Sequence, residues 1–241
     1  MTQAGDAAVI EDNYFAYFTE VEEYFVRKRG RNLLVSPLDW CLIELWKESG
    51  IPLHVVLRGI DRSFENAEKR MRRRPLTLSY CHPAVLEAYA EHQETMLGRG
   101  DEEDQDGGSD DRRLHGEGVA DFLRRLVGLL EGRDEEPTQL ARERLRALAL
   151  EVERMEWMDG DRLERELGSI GCDLAHGLLE GLPVEARREL KRKVTADLKP
   201  YRKHVSREVL ERLRQRQTER LVLEHFGLPS FSLLDLGLEV G

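Results

Sequence analysis

Residues 36–64, Ser-Pro-Leu-Asp-Trp-Cys-Leu-Ile-Glu-Leu-Trp-Lys-Glu-Ser-Gly-Ile-Pro-Leu-His-Val-Val-Leu-Arg-Gly-Ile-Asp-Arg-Ser-Phe, constrain the fold more than any other stretch, because they carry both ends of one helix and the start of the next. Ser36 is a favoured N-cap and Pro37 suits the first helical position. Asp39 follows three residues after the cap, where a carboxylate meets free N–H groups and the positive end of the helix dipole. Leu38, Leu42, Leu45 and Trp46 fall at i, i+4, i+7 and i+8, and Gly50 closes the helix. Pro52 opens a second one, with Leu53, Val56, Leu57, Ile60 and Phe64 at the same period. The stretch predicts a helical hairpin with Trp46 in its core.

The rest of the chain repeats the helical period. Tyr14, Phe15, Phe18, Val21, Tyr24 and Phe25 form an aromatic stripe on a helix expected to begin near Asp12 or Asn13, to end at Gly30 and to pack on the hairpin. Leu76 to Tyr80 reads as an extended or turn segment before a helix opened by Pro83. In the second half, five amphipathic helices are expected. The first carries Val119, Phe122, Leu126 and Leu130; the next runs from Pro137 to Met155; the third spans Leu163 to Leu178. The fourth opens at Pro183 and the fifth covers roughly 201 to 225. No strand pattern emerges, so the expected fold class is all-α, with short connections favouring a compact bundle.

Between the halves, residues 98–118 carry Asp101, Glu102, Glu103, Asp104, Asp106, Asp110 and Asp111 with Gly107-Gly108-Ser109, and hold no apolar residue before Leu114. Such a composition cannot bury enough surface to offset its chain entropy. The expected organisation is therefore a helical lobe over 1–97, an acidic flexible linker over 98–118, a helical bundle over 119–226 and an apolar tail over 227–241.

Charge limits the function classes. The 241 residues carry a formal charge of −10, which disfavours general affinity for nucleic acid or anionic membranes, but the distribution is uneven. Residues 1–25 hold six acids and no Lys or Arg, whereas residues 185–216 hold twelve Lys or Arg against five acids. Cys41, Cys81 and Cys172 are odd in number and far apart, the first residues lack the pattern of a signal peptide, and no apolar run is long enough to span a bilayer; a cytoplasmic protein with reduced thiols is expected.

The run from Ser36 to Tyr89 resembles the replicative helicase-loader domain of the DnaD type. The likeness rests on a helix opened by Ser36-Pro37, Trp46 near its end, an aliphatic second helix, a charged connection, and Tyr80 before another helix. That family closes with Tyr, an aliphatic residue and Trp at successive four-residue steps, whereas here Tyr80 stands five residues before Val85 and the last position is Tyr89. The resemblance implies an all-helical unit that binds DNA and assembles with itself and with replication proteins.

Chemistry-bearing constellations are sparse. Cys172 and His176 stand four apart and could be joined by Cys81 and His82, but no Cys-x-x-Cys or His-x-x-x-His pair supports a metal. The carboxylates Glu151, Glu153, Glu156, Asp159 and Asp161 lack the Glu-x-x-His repeats of a di-metal bundle. No P-loop, dinucleotide fingerprint or Gly-x-Ser-x-Gly occurs, so no catalytic residue, metal or cofactor is assigned. Two surfaces remain. Arg72, Arg73 and Arg74, with Arg202 and Lys203, could grip phosphates weakly. The tail from Leu228 to Leu238, with Leu228, Phe231, Leu233, Leu234 and Leu236, is apolar where a tail is normally polar; it must fold back on its own bundle or dock in a partner's groove. The expected function is a non-catalytic helical adaptor with a protein partner, weak nucleic-acid contact, no membrane, and self-association left open. The alternative is an enzyme or small-ligand protein with a site between the lobes.

Overall fold

The computed structural model describes residues 16–30, 36–70, 75, 77–97, 113–155 and 157–233. The fold is all-α. Its helices are α1 (Ala16–Arg29), α2 (Pro37–Glu48), α3 (Leu53–Lys69), α4 (His82–Leu97), α5 (Gly116–Leu129), α6 (Glu136–Val152), α7 (Gly160–Gly181), α8 (Val184–Asp197) and α9 (Arg207–His225), with single 3-10 turns at Leu78–Tyr80 and Tyr201–Lys203. Among the described residues, no helix is long and apolar enough to cross a membrane. These residues divide into two compact units, one of residues 16–97 with 193–217, the other of residues 113–192 with 218–233. Residues 193–217 were expected in the C-terminal bundle; they pack instead with the first half of the chain.

In the first unit the hairpin signals act as read. The Ser36 hydroxyl accepts from the Asp39 N–H, and Pro37 opens α2. At the other end Gly50 takes a left-handed φ of 70°; its N–H donates to the Lys47 carbonyl and that of Ile51 to the Trp46 carbonyl, a Schellman closure. Phe18, Val21 and Phe25 of α1, Leu42, Ile43 and Trp46 of α2 and Ile60 and Phe64 of α3 are buried together with Val85 of α4. The expected helix start at Asp12 or Asn13 and the aromatic residues Tyr14 and Phe15 lie outside the described residues. Gly59 decides how closely α3 and α4 approach, since a Cβ there would meet the Val85 Cα at 2.5 Å.

In the second unit α5, α6 and α7 pack in sequence around Leu123, Leu130, Leu145, Leu163, Leu167 and Leu174. Gly177 lets the N-terminus of α6 close on α7, because a Cβ there would stand 2.5 Å from the Pro137 ring. One departure from the sequence reading occurs here, and the tail takes the first of the two courses expected of it. The expected linker ends early: Arg113–His115 pairs antiparallel with Trp157–Asp159, and α5 already begins at Gly116. Three-residue strands are too short to show an alternation, so backbone pairing forms them without a sequence signal. The tail also folds back. Gly227 ends α9 with a φ of 65°, Leu228, Phe231 and Leu233 enter the core, and Phe231 lies over Gly171, where a Cβ would meet its own at 2.9 Å. Glu164 fixes the chain there, accepting from the Ser232 hydroxyl at 2.6 Å and the Leu233 N–H at 2.7 Å.

Candidate functional site

The residues with most chemical capacity gather inside the first unit. The N-cap that starts α2 turns Asp39 inward, where it is 1% exposed. Its Oδ1 accepts from the Leu78 N–H at 3.0 Å and from the Tyr201 hydroxyl at 2.9 Å. The Ser36 hydroxyl lies 2.8 Å from the Tyr201 oxygen, so it donates to the phenol whose own proton is committed to Asp39. Burial pushes the Asp39 carboxyl above the usual carboxylate range, while the hydrogen bonds from Tyr201, Ser36 and the Leu78 N–H pull it back. Burial, with the Asp39 charge beside it, raises the Tyr201 phenol far above its ordinary value. A serine, a carboxylate and a phenol in sequence suggest proton transfer, but the atoms are enclosed and satisfied by one another. Their effect is mechanical: they tie the start of α2 to both 3-10 turns.

Cys81 and His82 lie nearby in sequence and are equally enclosed. Burial pushes the Cys81 thiol up to about 12, so it stays protonated and serves as neither nucleophile nor thiolate ligand. His82 Nδ1 accepts from the Trp46 indole N–H at 2.9 Å, and burial brings the imidazole down to about 4. A neutral ring is therefore part of the core, and Trp46 is 1% exposed as its spacing predicts.

The sequence-derived sites are scattered. Arg202 and Lys203 are exposed on the turn whose Tyr201 points inward, and Tyr80 packs against His204 on that turn with ring centroids 5.2 Å apart. Arg72, Arg73 and Arg74 lie outside the described residues. Arg216, part of the same basic stretch, is paired with Glu44 at 3.0 Å. Leu228, Phe231 and Leu233 are core residues rather than an exposed docking segment, because Gly171 and Glu164 give the tail a seat on its own unit; Leu234 and Leu236 lie outside the described residues. Exposed His176 pairs with Glu180 at 3.5 Å, while Cys81 and His82 are buried. Among the described residues no group of His, Cys, Asp and Glu is arranged to hold a metal ion.

The folded-back tail creates a feature that sequence reasoning missed, an open groove of about 590 Å³ in the second unit. The buried Phe122, Leu126 and Leu228 form its floor, Leu129 stands half-exposed at its edge, and Pro229 also lines it. Arg125 and the ion-paired Arg220 and Glu224 flank it, the latter two 3.1 Å apart. An apolar floor with a charged rim is the composition of a peptide-docking surface rather than of an acid–base site. The only sequence signal was the Gly227-Leu228-Pro229 run, which marks a helix end followed by a fixed turn.

Fold and site together define an all-helical protein with an enclosed polar cluster in its first unit. A family model described as "Uncharacterised protein" matches residues 16–101, the stretch that contains α1 to α4. No curated protein and no solved structure matches the chain, and none of these comparisons relates it to the DnaD type.

Proposed function

We propose that this protein is a non-catalytic interaction module that docks a partner polypeptide in the groove beside α5. The observation that carries the reading is the contrast between the two chemistries. Asp39, Cys81, His82 and Tyr201 are consumed inside the first unit, while the second unit carries a groove over the core residues Phe122, Leu126 and Leu228 with the half-exposed Leu129 beside it. An exposed leucine at the edge of a formed groove provides what a bound apolar side chain needs, a partly desolvated contact surrounded by charge. Cys41, Cys81 and Cys172 form no disulfide and Cys81 is sealed, which supports a reducing and hence cytoplasmic setting.

The test is affinity capture from the source cell with the full chain, compared with Leu129→Asp and, as a control on the exposed face of α6, Leu140→Asp. A partner retained by the wild type and the control but lost with Leu129→Asp supports the reading. Equal capture by all three, or capture lost with Leu140→Asp alone, removes the groove from it.

A further inference from the structure

We propose that the solvent face of α8 carrying Arg187, Arg188, Lys191 and Arg192 holds the phosphate backbone of a nucleic acid. All four side chains are exposed. They stand in two rows, Arg187 with Lys191 and Arg188 with Arg192, each pair four residues apart and so about 6 Å apart along the axis. The flank of the helix next to Arg187 faces protein: Leu190, three residues on, packs on the core of the second unit, and Val194, seven on, is buried.

On other helices many of the arginines are ion-paired. Arg62 pairs with Glu91, Arg124 with Asp121 and Glu153, Arg144 with Asp173, and Arg162 with Glu151. On α8, Glu185 and Glu189 stand three residues before Arg188 and Arg192, yet among the described residues Arg187, Arg188 and Arg192 enter no ion pair with a carboxylate. In a chain with a formal charge of −10, such a cationic face is a local feature that the overall balance hides.

The surroundings select the partner. A protein interface is built around an apolar centre with charges at its rim, whereas here the cations predominate around a single large exposed apolar side chain, Val184. A membrane surface would take an amphipathic helix by its apolar side, and here that side is already turned into the protein. Three forked guanidinium groups and an ammonium without an aromatic neighbour fit a repeating phosphate lattice, read through charge and not through bases. No exposed aromatic residue lies on α8 for stacking, so base-specific affinity is not expected.

The experiment titrates the full chain against a short labelled DNA duplex of arbitrary sequence, by fluorescence anisotropy, at several salt concentrations. Four phosphate contacts give a slope near −3.6 in log K against log salt, so affinity falls about 150-fold between roughly 50 and 200 mM. The double change Arg187→Ser with Arg188→Ser lowers that slope by about 1.8, as two lost contacts require, and Lys191→Gln lowers it by about 0.9. Circular dichroism melts confirm that the variants are folded; the side chains are exposed, and either variant alone suffices. Absence of binding at low salt overturns the proposal. So does binding that ignores the α8 variants, that is lost instead in Arg202→Ser with Lys203→Ser, or that is weaker than binding to polyglutamate or to phosphatidylserine vesicles. Leu129→Asp should leave duplex binding intact, so the groove and this surface stand or fall separately.

Discussion

Changing Tyr201 to Phe removes one oxygen and asks how much the enclosed polar cluster holds the first unit together. The ring, 2% exposed, remains, so packing is preserved, but Asp39 loses its 2.9 Å donor and Ser36 its 2.8 Å partner. A hydrogen bond to a charged group is worth about 1.5–3 kcal/mol, and a buried carboxylate left with fewer donors adds a desolvation cost, so the loss should fall at the upper end of that range. For a chain of this size about 1 kcal/mol moves the midpoint by roughly 2–4 °C, which gives a fall of about 5–10 °C. The effect should depend on pH. The Asp39 carboxyl is raised in the folded state, so its ionisation costs stability as pH rises through the folded value, and the Tyr201 bond opposes that cost by favouring the charged form. Removing it therefore costs most at pH near 7 and least below the usual carboxylate range, where Asp39 is neutral in both states. Urea unfolding at about pH 7 and about pH 3, followed by circular dichroism, measures both terms. A variant within about 0.5 kcal/mol of wild type at both pH values would refute the claim that the cluster is a buried tie between segments.

Other consequences follow from the same interior. His82 is neutral when folded, at about 4 against an ordinary 6.5, so the unfolded chain binds its proton first: stability is full above about pH 6.5 and declines towards pH 4, by about 3 kcal/mol. Asp39 pulls the other way in the acid range, so the comparison is the pH slope of the wild type against that of His82→Gln, which should be flatter. Native Cys81 should label with a thiol reagent far more slowly than Cys41 or Cys172, since only Cys81 is fully buried; equal rates would show that the cluster opens readily. Gly59→Ala should cost more than about 2 kcal/mol because its Cβ meets the Val85 backbone, whereas Gly128→Ala, with nothing within 4 Å, should gain about 0.5–1 kcal/mol from helix propensity; thermal melts distinguish them.

The helical ends were legible wherever chain chemistry is local. Ser36, Gly30 and Gly50 act at their own termini, so a short window contains both the cause and the effect. The division into units was not legible. Tyr201 meets Asp39 across 162 residues, and no spacing rule links a tyrosine after Pro200 to an aspartate in the first turn of α2. The fifth expected helix was begun too early for the same reason: Tyr201–Lys203 is a 3-10 turn held by that contact, and α9 starts only after Ser206, whose hydroxyl accepts from the Val209 N–H. The tail was read as apolar and needing cover, which is correct for Leu228, Phe231 and Leu233, but its seat depends on Gly171 making room in another helix. The groove is a consequence of that seat and of nothing in the tail alone.

Photo-crosslinking tests the central claim most directly. A benzophenone amino acid placed at Leu129, half-exposed at the groove's edge, and separately at the equally exposed Leu140 on α6, is irradiated in the source cell and the products resolved by mass. A discrete polypeptide adduct from position 129 that is absent from position 140 is the predicted result. Identical patterns from both positions, or no adduct from either, would contradict the assignment of the groove as a partner-docking surface.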